Sequence, residues 1–127
     1  MMLLEQNFHL KEGLIHYYFG NGRGKTSTTI GSIIRALGHG LKPILIQFLK
    51  LHDETGEHYF MGEINYLKDR IPVKQFGSYE FVDYDNPSEE HKQRARQGFE
   101  CIKKAVFSEQ YDVVILDEIG VAIEMGV

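Results

Sequence analysis

Gly20-Asn21-Gly22-Arg23-Gly24-Lys25-Thr26 is the stretch of this 127-residue chain richest in chemistry. Glycines beside a Lys-Thr pair let several backbone N–H groups converge on one anion, because no side chain blocks the approach. The lysine supplies a positive charge, and the threonine hydroxyl is a hard oxygen ligand of the kind Mg²⁺ prefers. An apolar run, Leu14-Ile15-His16-Tyr17-Tyr18-Phe19, precedes the stretch, and a segment of helical periodicity follows it. Strand, glycine turn, Lys-Thr and helix is the arrangement that holds a nucleotide triphosphate. The helix N-terminus adds partial positive charge. The usual pattern sets four residues between its first glycine and the Gly-Lys pair. Here Gly20 leaves three, and Phe19 stands where the first glycine would be. A shortened phosphate loop is expected over Gly20, Asn21, Gly22, Arg23, Gly24, Lys25 and Thr26, with Ser27 adjoining.

Asp117-Glu118 ends the apolar run Val113-Val114-Ile115-Leu116. In a parallel sheet the carboxyl end of such a strand faces the ligand crevice. A carboxylate there can hold Mg²⁺ or cap the next helix. Paired with a phosphate loop, the metal role is the favoured reading, with Thr26, Asp117 and Glu118 as the candidate ligands. Arg23, Lys25, Arg35 and Lys42 cluster near the loop in sequence, which suits a small polyanion. A net charge of −4 argues against a broad nucleic-acid surface. The six histidines show no metal-ligand spacing and read as surface residues. Cys101, the only cysteine, lies beside an apolar stripe and reads as packed or idle.

Elements must position these groups. Ile30, Ile33, Ile34 and Leu37 recur at helical spacing and form one expected buried face. Gly38-His39-Gly40 ends that helix. Pro43 to Phe48 reads as a buried strand, and residues 49–57 as a polar loop. Tyr59 or Phe60 with Ile64 and Leu67 suggests a short helix, and Val73 to Phe76 a weak strand. Asn86-Pro87-Ser88-Glu89 is a helix start, with Asn86 as the expected cap and Pro87 at the first helical position. Ala95, Phe99, Ile102 and Val106 continue that helix. The run 113–116 then reads as a strand buried on both faces. Alternating helices and continuous apolar strands imply a single α/β domain over 1–127, with a mostly parallel sheet covered on both sides. Between them, Phe76, Tyr79, Phe81 and Tyr84 form an aromatic group that either covers the sheet end or serves the site. No apolar run is long enough to cross a bilayer, and residues 1–11 lack the features of a signal peptide. A cytoplasmic protein without a membrane or nucleic-acid partner is the expectation.

Five segments appear in one order: GNGRGKT (20–26), RALGHG (35–40), ILIQFLK (44–50), QFG (75–77) and YDVVILDE (111–118). Together they resemble the ATP:corrinoid adenosyltransferases of the cobalamin-pathway P-loop type. The three-residue spacing in the glycine loop is itself a feature of that family. The resemblance spans nearly the whole chain, from about Leu14 to Val127. It implies a three-layer α/β/α, RecA-like P-loop fold. It also implies transfer of the 5′-deoxyadenosyl group of ATP to Co(I) of a reduced corrinoid, with triphosphate as leaving group. The loop residues would hold ATP, with Asn21 near the nucleoside and Arg35 a further contact. Lys25 and Glu118 would serve the reaction, and Thr26 with Glu118 would serve Mg²⁺. Phe81, helped by Tyr79, matches aromatics that keep the lower axial ligand off cobalt; some members carry a Trp nearby, and this chain has none. The family also implies a homodimer and a reductase partner. Its members continue past the Asp-Glu strand, and their next strand inserts between the loop strand and the Asp-Glu strand. Without that strand the sheet would have a gap that exposes backbone groups and apolar faces. The chain is therefore expected to be the N-terminal portion of the family domain, either as a fragment of a longer protein or as a short chain that pairs its strands differently or borrows them from a partner. Two rivals stay open: another P-loop kinase or ATPase, and a non-catalytic nucleotide-binding protein acting through assembly.

Overall fold

Strands that are apolar on both faces need cover on both sides, and this chain supplies it with helices. A computed structural model describes residues 10–48, 61–77, 83 and 85–126. The elements, in order, are α1 (Lys25–Gly38), β1 (Pro43–Phe48), α2 (Gly62–Leu67), β2 (Val73–Phe76), α3 (Glu89–Phe107), β3 (Val113–Asp117) and α4 (Ile119–Glu124). Among the described residues the strands form one parallel sheet in the order β2-β1-β3. β1 is central, and all six of its residues are buried. Pro43 opens it, a place where a missing N–H costs little.

Side-chain alternation divides the core in two. Ile44, Ile46 and Phe48 meet Ala95 and Ala105 of α3 and Ala122 of α4. Leu45 and Ile115 meet Ile33 of α1 and Ile64 and Leu67 of α2. The result is a three-layer α/β/α arrangement, as expected. Gly98 sets the spacing on the first face. A Cβ there would lie 2.5 Å from the Phe48 ring, so only glycine lets α3 sit this close.

Several local expectations are corrected. The run 14–19 is not a strand among the described residues. Its apolar side chains are exposed, Ile15 at 97% and Phe19 at 77%. Hydrophobic pattern reports a wish for burial, whereas a strand requires a neighbour to pair its N–H and C=O groups. On α1, Ile34 is exposed and Ala36 takes the buried position beside Ile33. On α3, Val106 is exposed while Gly98 and Ala105 are buried, so the inward stripe is rotated from the one expected. The α3 cap is Ser88, whose side chain accepts from the His91 N–H, rather than Asn86. Pro87 consequently stands just outside the helix. β3 is half-buried at Val113, Val114 and Leu116, because it lies at the edge of the described sheet. The end of α1 follows expectation. The Gly40 and Leu41 N–H groups bond the Leu37 and Ala36 carbonyls, closing the helix with a glycine-type cap. The 49–57 loop, Tyr59, Phe60, Tyr79, Phe81, Tyr84 and Val127 lie outside the described residues.

Candidate functional site

The glycine loop runs straight into α1. Gly20 and Gly24 have φ of 130° and 103°, values that disfavour any side chain. Gly24 is also the N-cap of α1, and its carbonyl accepts from both the N–H and the hydroxyl of Thr28. Lys25 curls back into the loop, where its Nζ donates to the carbonyls of Gly20 at 2.6 Å and Gly22 at 2.7 Å. Asn21, Gly22, Arg23 and Ser27 are exposed. The loop, the first turn of α1 and the aromatic residues before it line a cleft of about 370 Å³: Tyr17, Tyr18, Phe19, Arg23, Gly24, Lys25 and Thr28. Tyr17 stacks on Phe19 with ring centroids 5.2 Å apart.

Thr26, one position further, faces the end of β3. Its Oγ1 lies 3.2 and 3.4 Å from the two carboxylate oxygens of Asp117 and donates to them. Asp117 is only 5% exposed. Its Oδ2 also accepts from Gln47 Nε2 at 3.0 Å. Gln47 Oε1 in turn accepts from Gln75 Nε2 at 2.8 Å. The sheet register explains this row, since Gln47 is the parallel-strand partner of both Gln75 and Asp117. The sheet and the first turn of α1 thus bring four polar side chains together. Two of them, Gln47 and Gln75, escaped sequence reasoning as site residues. A polar residue inside a continuously buried strand was the available signal.

Glu118 follows as the N-cap of α4 with φ 61°. Its side chain makes no hydrogen bond among the described residues. This left-handed turn starts α4 immediately after β3. Two positions expected near the loop lie elsewhere. Arg35 is in the last turn of α1 and exposed, nine residues past Thr26 and roughly 13 Å along the helix axis. Lys42 stands before β1, at the amino end of the sheet, where its N–H bonds the Asp112 carboxylate. The basic cluster is therefore reduced to Arg23 and Lys25, because a strand or helix between two residues carries them to opposite ends of the domain. Gly77, where the aromatic segment begins, is buried and its carbonyl accepts from Arg94 at 2.7 Å. Phe76 is partly buried and packs against the core, tilted against Phe48 at 6.4 Å.

The donor set suits a small hard cation. Thr26 Oγ1 and the Asp117 carboxylate are oxygens placed next to each other at the loop mouth. Among the described residues, no group of three or more His, Cys, Asp or Glu side chains converges on one point. Mg²⁺ is commonly held this way, by one or two protein oxygens plus phosphates and waters. Among the described residues, no helix is long and apolar enough to cross a membrane.

Residues 11–127 match the family described as ATP:corrinoid adenosyltransferase BtuR/CobO/CobP. The chain is 27% identical over 116 residues to a corrinoid adenosyltransferase of Pseudomonas aeruginosa, covering 91% of this chain and 55% of that protein. It is 29% identical over 110 residues to one from Escherichia coli K12, covering 86% and 53%. A Sinorhizobium corrinoid adenosyltransferase is 29% identical over 121 residues, covering 89% and 51%. The chain spans about half the length of these curated relatives. The family match takes in the glycine loop, the row across the sheet and the Asp117-Glu118 strand end, so the chain belongs to the ATP:corrinoid adenosyltransferase family.

Proposed function

We propose that this chain carries the ATP-binding part of an adenosyltransferase that moves the 5′-deoxyadenosyl group of ATP to Co(I) of a corrinoid. The observation that supports this most is the contact of Thr26 with Asp117 at the mouth of a glycine loop, in a chain of this family. The Co(I) electron pair forms the bond to C5′, the C5′–O bond breaks, and that electron pair leaves with triphosphate. The loop residues from Gly20 to Thr26 bind and orient the triphosphate. Lys25 neutralises charge on it, exchanging its present carbonyl partners for phosphate oxygens. Thr26 and Asp117, with Glu118 as a further oxygen donor, hold Mg²⁺, which when bound stabilises the charge that develops on the leaving triphosphate. Tyr17, Tyr18 and Phe19 wall the cleft and offer the nucleoside an aromatic surface. Arg35 could add a contact only to a ligand that extends along α1. Phe81 and Tyr79, following the anchored Gly77, keep the lower axial ligand from cobalt and ease its reduction. The homodimer, the reductase partner and a cytoplasmic location belong to the same reading.

Incubation with ATP, Mg²⁺ and chemically reduced cobalamin tests the reaction. Triphosphate and a cobalt–carbon product are expected. ADP release without that product would replace this reading with a phosphoryl-transfer enzyme. The exposed apolar segment 14–19 favours one other reading, a nucleotide-binding subunit that works through assembly. It predicts ATP binding without turnover under every reducing condition. Lys25→Ala should abolish ATP binding on either reading. Phe81→Ala should slow the reaction when Co(II) must be reduced in the site and spare it when Co(I) is supplied.

A further inference from the structure

Gln47 is fully buried, 0% exposed, in the central strand of the sheet. The α1/α2 side of that sheet is otherwise filled by Ile33, Leu45, Ile64, Leu67, Ile71 and Ile115. A leucine at 47 would extend this cluster but would remove a donor to Asp117 and an acceptor for Gln75. The amide instead demands partners on both its ends, and it has them: Asp117 on one side and Gln75 on the other. The direction of this chain is forced. An ionised carboxylate only accepts, so Gln47 must turn its NH₂ to Asp117. Its carbonyl then faces Gln75, which must turn its own NH₂ inward. Gln75 Oε1 is left buried with no partner among the described residues. An unmet buried acceptor costs about 1–3 kcal/mol. Stability alone therefore does not account for the pair.

We infer that Gln47 is a positioning residue that fixes the Asp117 carboxylate for divalent-cation and triphosphate binding, and that Gln75 locks the direction of Gln47. The inference rests on the proposed reading of Thr26 and Asp117 as cation ligands. A carboxylate can turn about its Cα–Cβ and Cβ–Cγ bonds, and each hydrogen bond to its oxygens restricts that rotation. The Gln47 bond to Oδ2 pins that rotation from inside the sheet and leaves the carboxylate facing the helix start. Removing such outer partners of a metal ligand typically costs 10- to 100-fold in metal affinity.

The test measures ATP binding by calorimetry across a Mg²⁺ series, with thermal unfolding of each variant alongside. Gln47→Leu should raise the Mg²⁺ needed for half-maximal ATP binding by about tenfold. ATP binding without Mg²⁺ should stay within about twofold of the parent chain. Gln75→Leu should give a smaller rise. The double variant should match Gln47→Leu, because Gln75 acts only through Gln47. If Gln47→Leu does not fold, Gln75→Leu carries the test, since it leaves Gln47 itself unaltered. A lowered melting temperature with an unchanged Mg²⁺ requirement would overturn the inference, as would additive losses in the double variant. Asp117→Asn separates the two levels. If it too leaves the Mg²⁺ requirement unchanged, the cation reading itself fails. If it alone raises the requirement, only the role of Gln47 fails.

Discussion

β1 sends Ile44, Ile46 and Phe48 to one face of the sheet and Leu45 and Gln47 to the other. The α3/α4 face is apolar to its carboxyl end, where Phe48 meets Phe99 at 5.5 Å and Phe76 at 6.4 Å. The α1/α2 face starts equally apolar and changes at its last row to Gln75, Gln47 and Asp117. The same three strands, at the same level, thus carry packing on one side and directed polar bonds on the other. Substitutions on the first face should move stability and leave the cation requirement alone. Those on the second should do the reverse.

The largest stability effect is expected at Phe48. Phe48→Ala removes a fully buried ring from the centre of the apolar face. A loss of about 3–5 kcal/mol is expected in chemical denaturation. Its Mg²⁺ requirement for ATP binding should be unchanged wherever the variant remains folded. A shifted requirement would mean that the two faces are not separable.

Asp117→Asn breaks the other side. The new amide can still accept from Gln47 and face Thr26, so stability should change by less than about 1 kcal/mol. The requirement for Mg²⁺ in ATP binding should rise by more than the roughly tenfold expected for Gln47→Leu, because a charged oxygen ligand has become neutral. A large fall in melting temperature with normal Mg²⁺ dependence would make Asp117 a structural residue instead.

Gly98→Ala returns to the apolar face with a smaller expected effect. The added methyl would meet two Phe48 ring atoms at 2.5 and 2.8 Å and Phe76 at 3.2 Å. The ring must move or α3 must retreat, at about 1–3 kcal/mol. Pairing Gly98→Ala with Phe48→Leu should recover part of the loss, since a smaller side chain makes room. No recovery would place the strain in the helix backbone rather than against the ring.

The layers and the loop were legible because they rest on local rules. Pro43 to Phe48 reads as a buried strand from composition alone, and Gly20 to Thr26 as a loop from glycine spacing. Thr26 and Asp117 were legible as a pair, since parallel topology brings a strand end to the loop mouth. Residues 14–19 misled because apolar character says nothing about a pairing neighbour. Ile34 and Val106 misled because the inward stripe of a helix is set by its docking angle, and small residues such as Ala36 and Gly98 go unnoticed. Arg35 and Lys42 are near the loop only along the chain. Gln47 and Gln75 needed the register, since nothing in either strand alone says that their side chains meet.

The smallest expected effect concerns Cys101, which packs against the apolar cluster from α3. Burial pushes its thiol above the ordinary range, while Lys74 and Lys104 pull it more weakly the other way. The thiolate, not the thiol, reacts with alkylating reagents. Native chain should therefore be alkylated more slowly at about pH 8 than chain unfolded in urea. The sign carries to stability. The unfolded thiol ionises first, so the contribution of Cys101 is complete below the ordinary thiol range and is lost as pH rises through the folded value. The cations beside it belong to a cleft of about 530 Å³ that also includes Phe76 and Arg96. If the native thiol reacts as fast as the unfolded one, those cations outweigh burial. This edge of the apolar face would then be electrostatically active, and the contrast between the two faces would hold only for the interior.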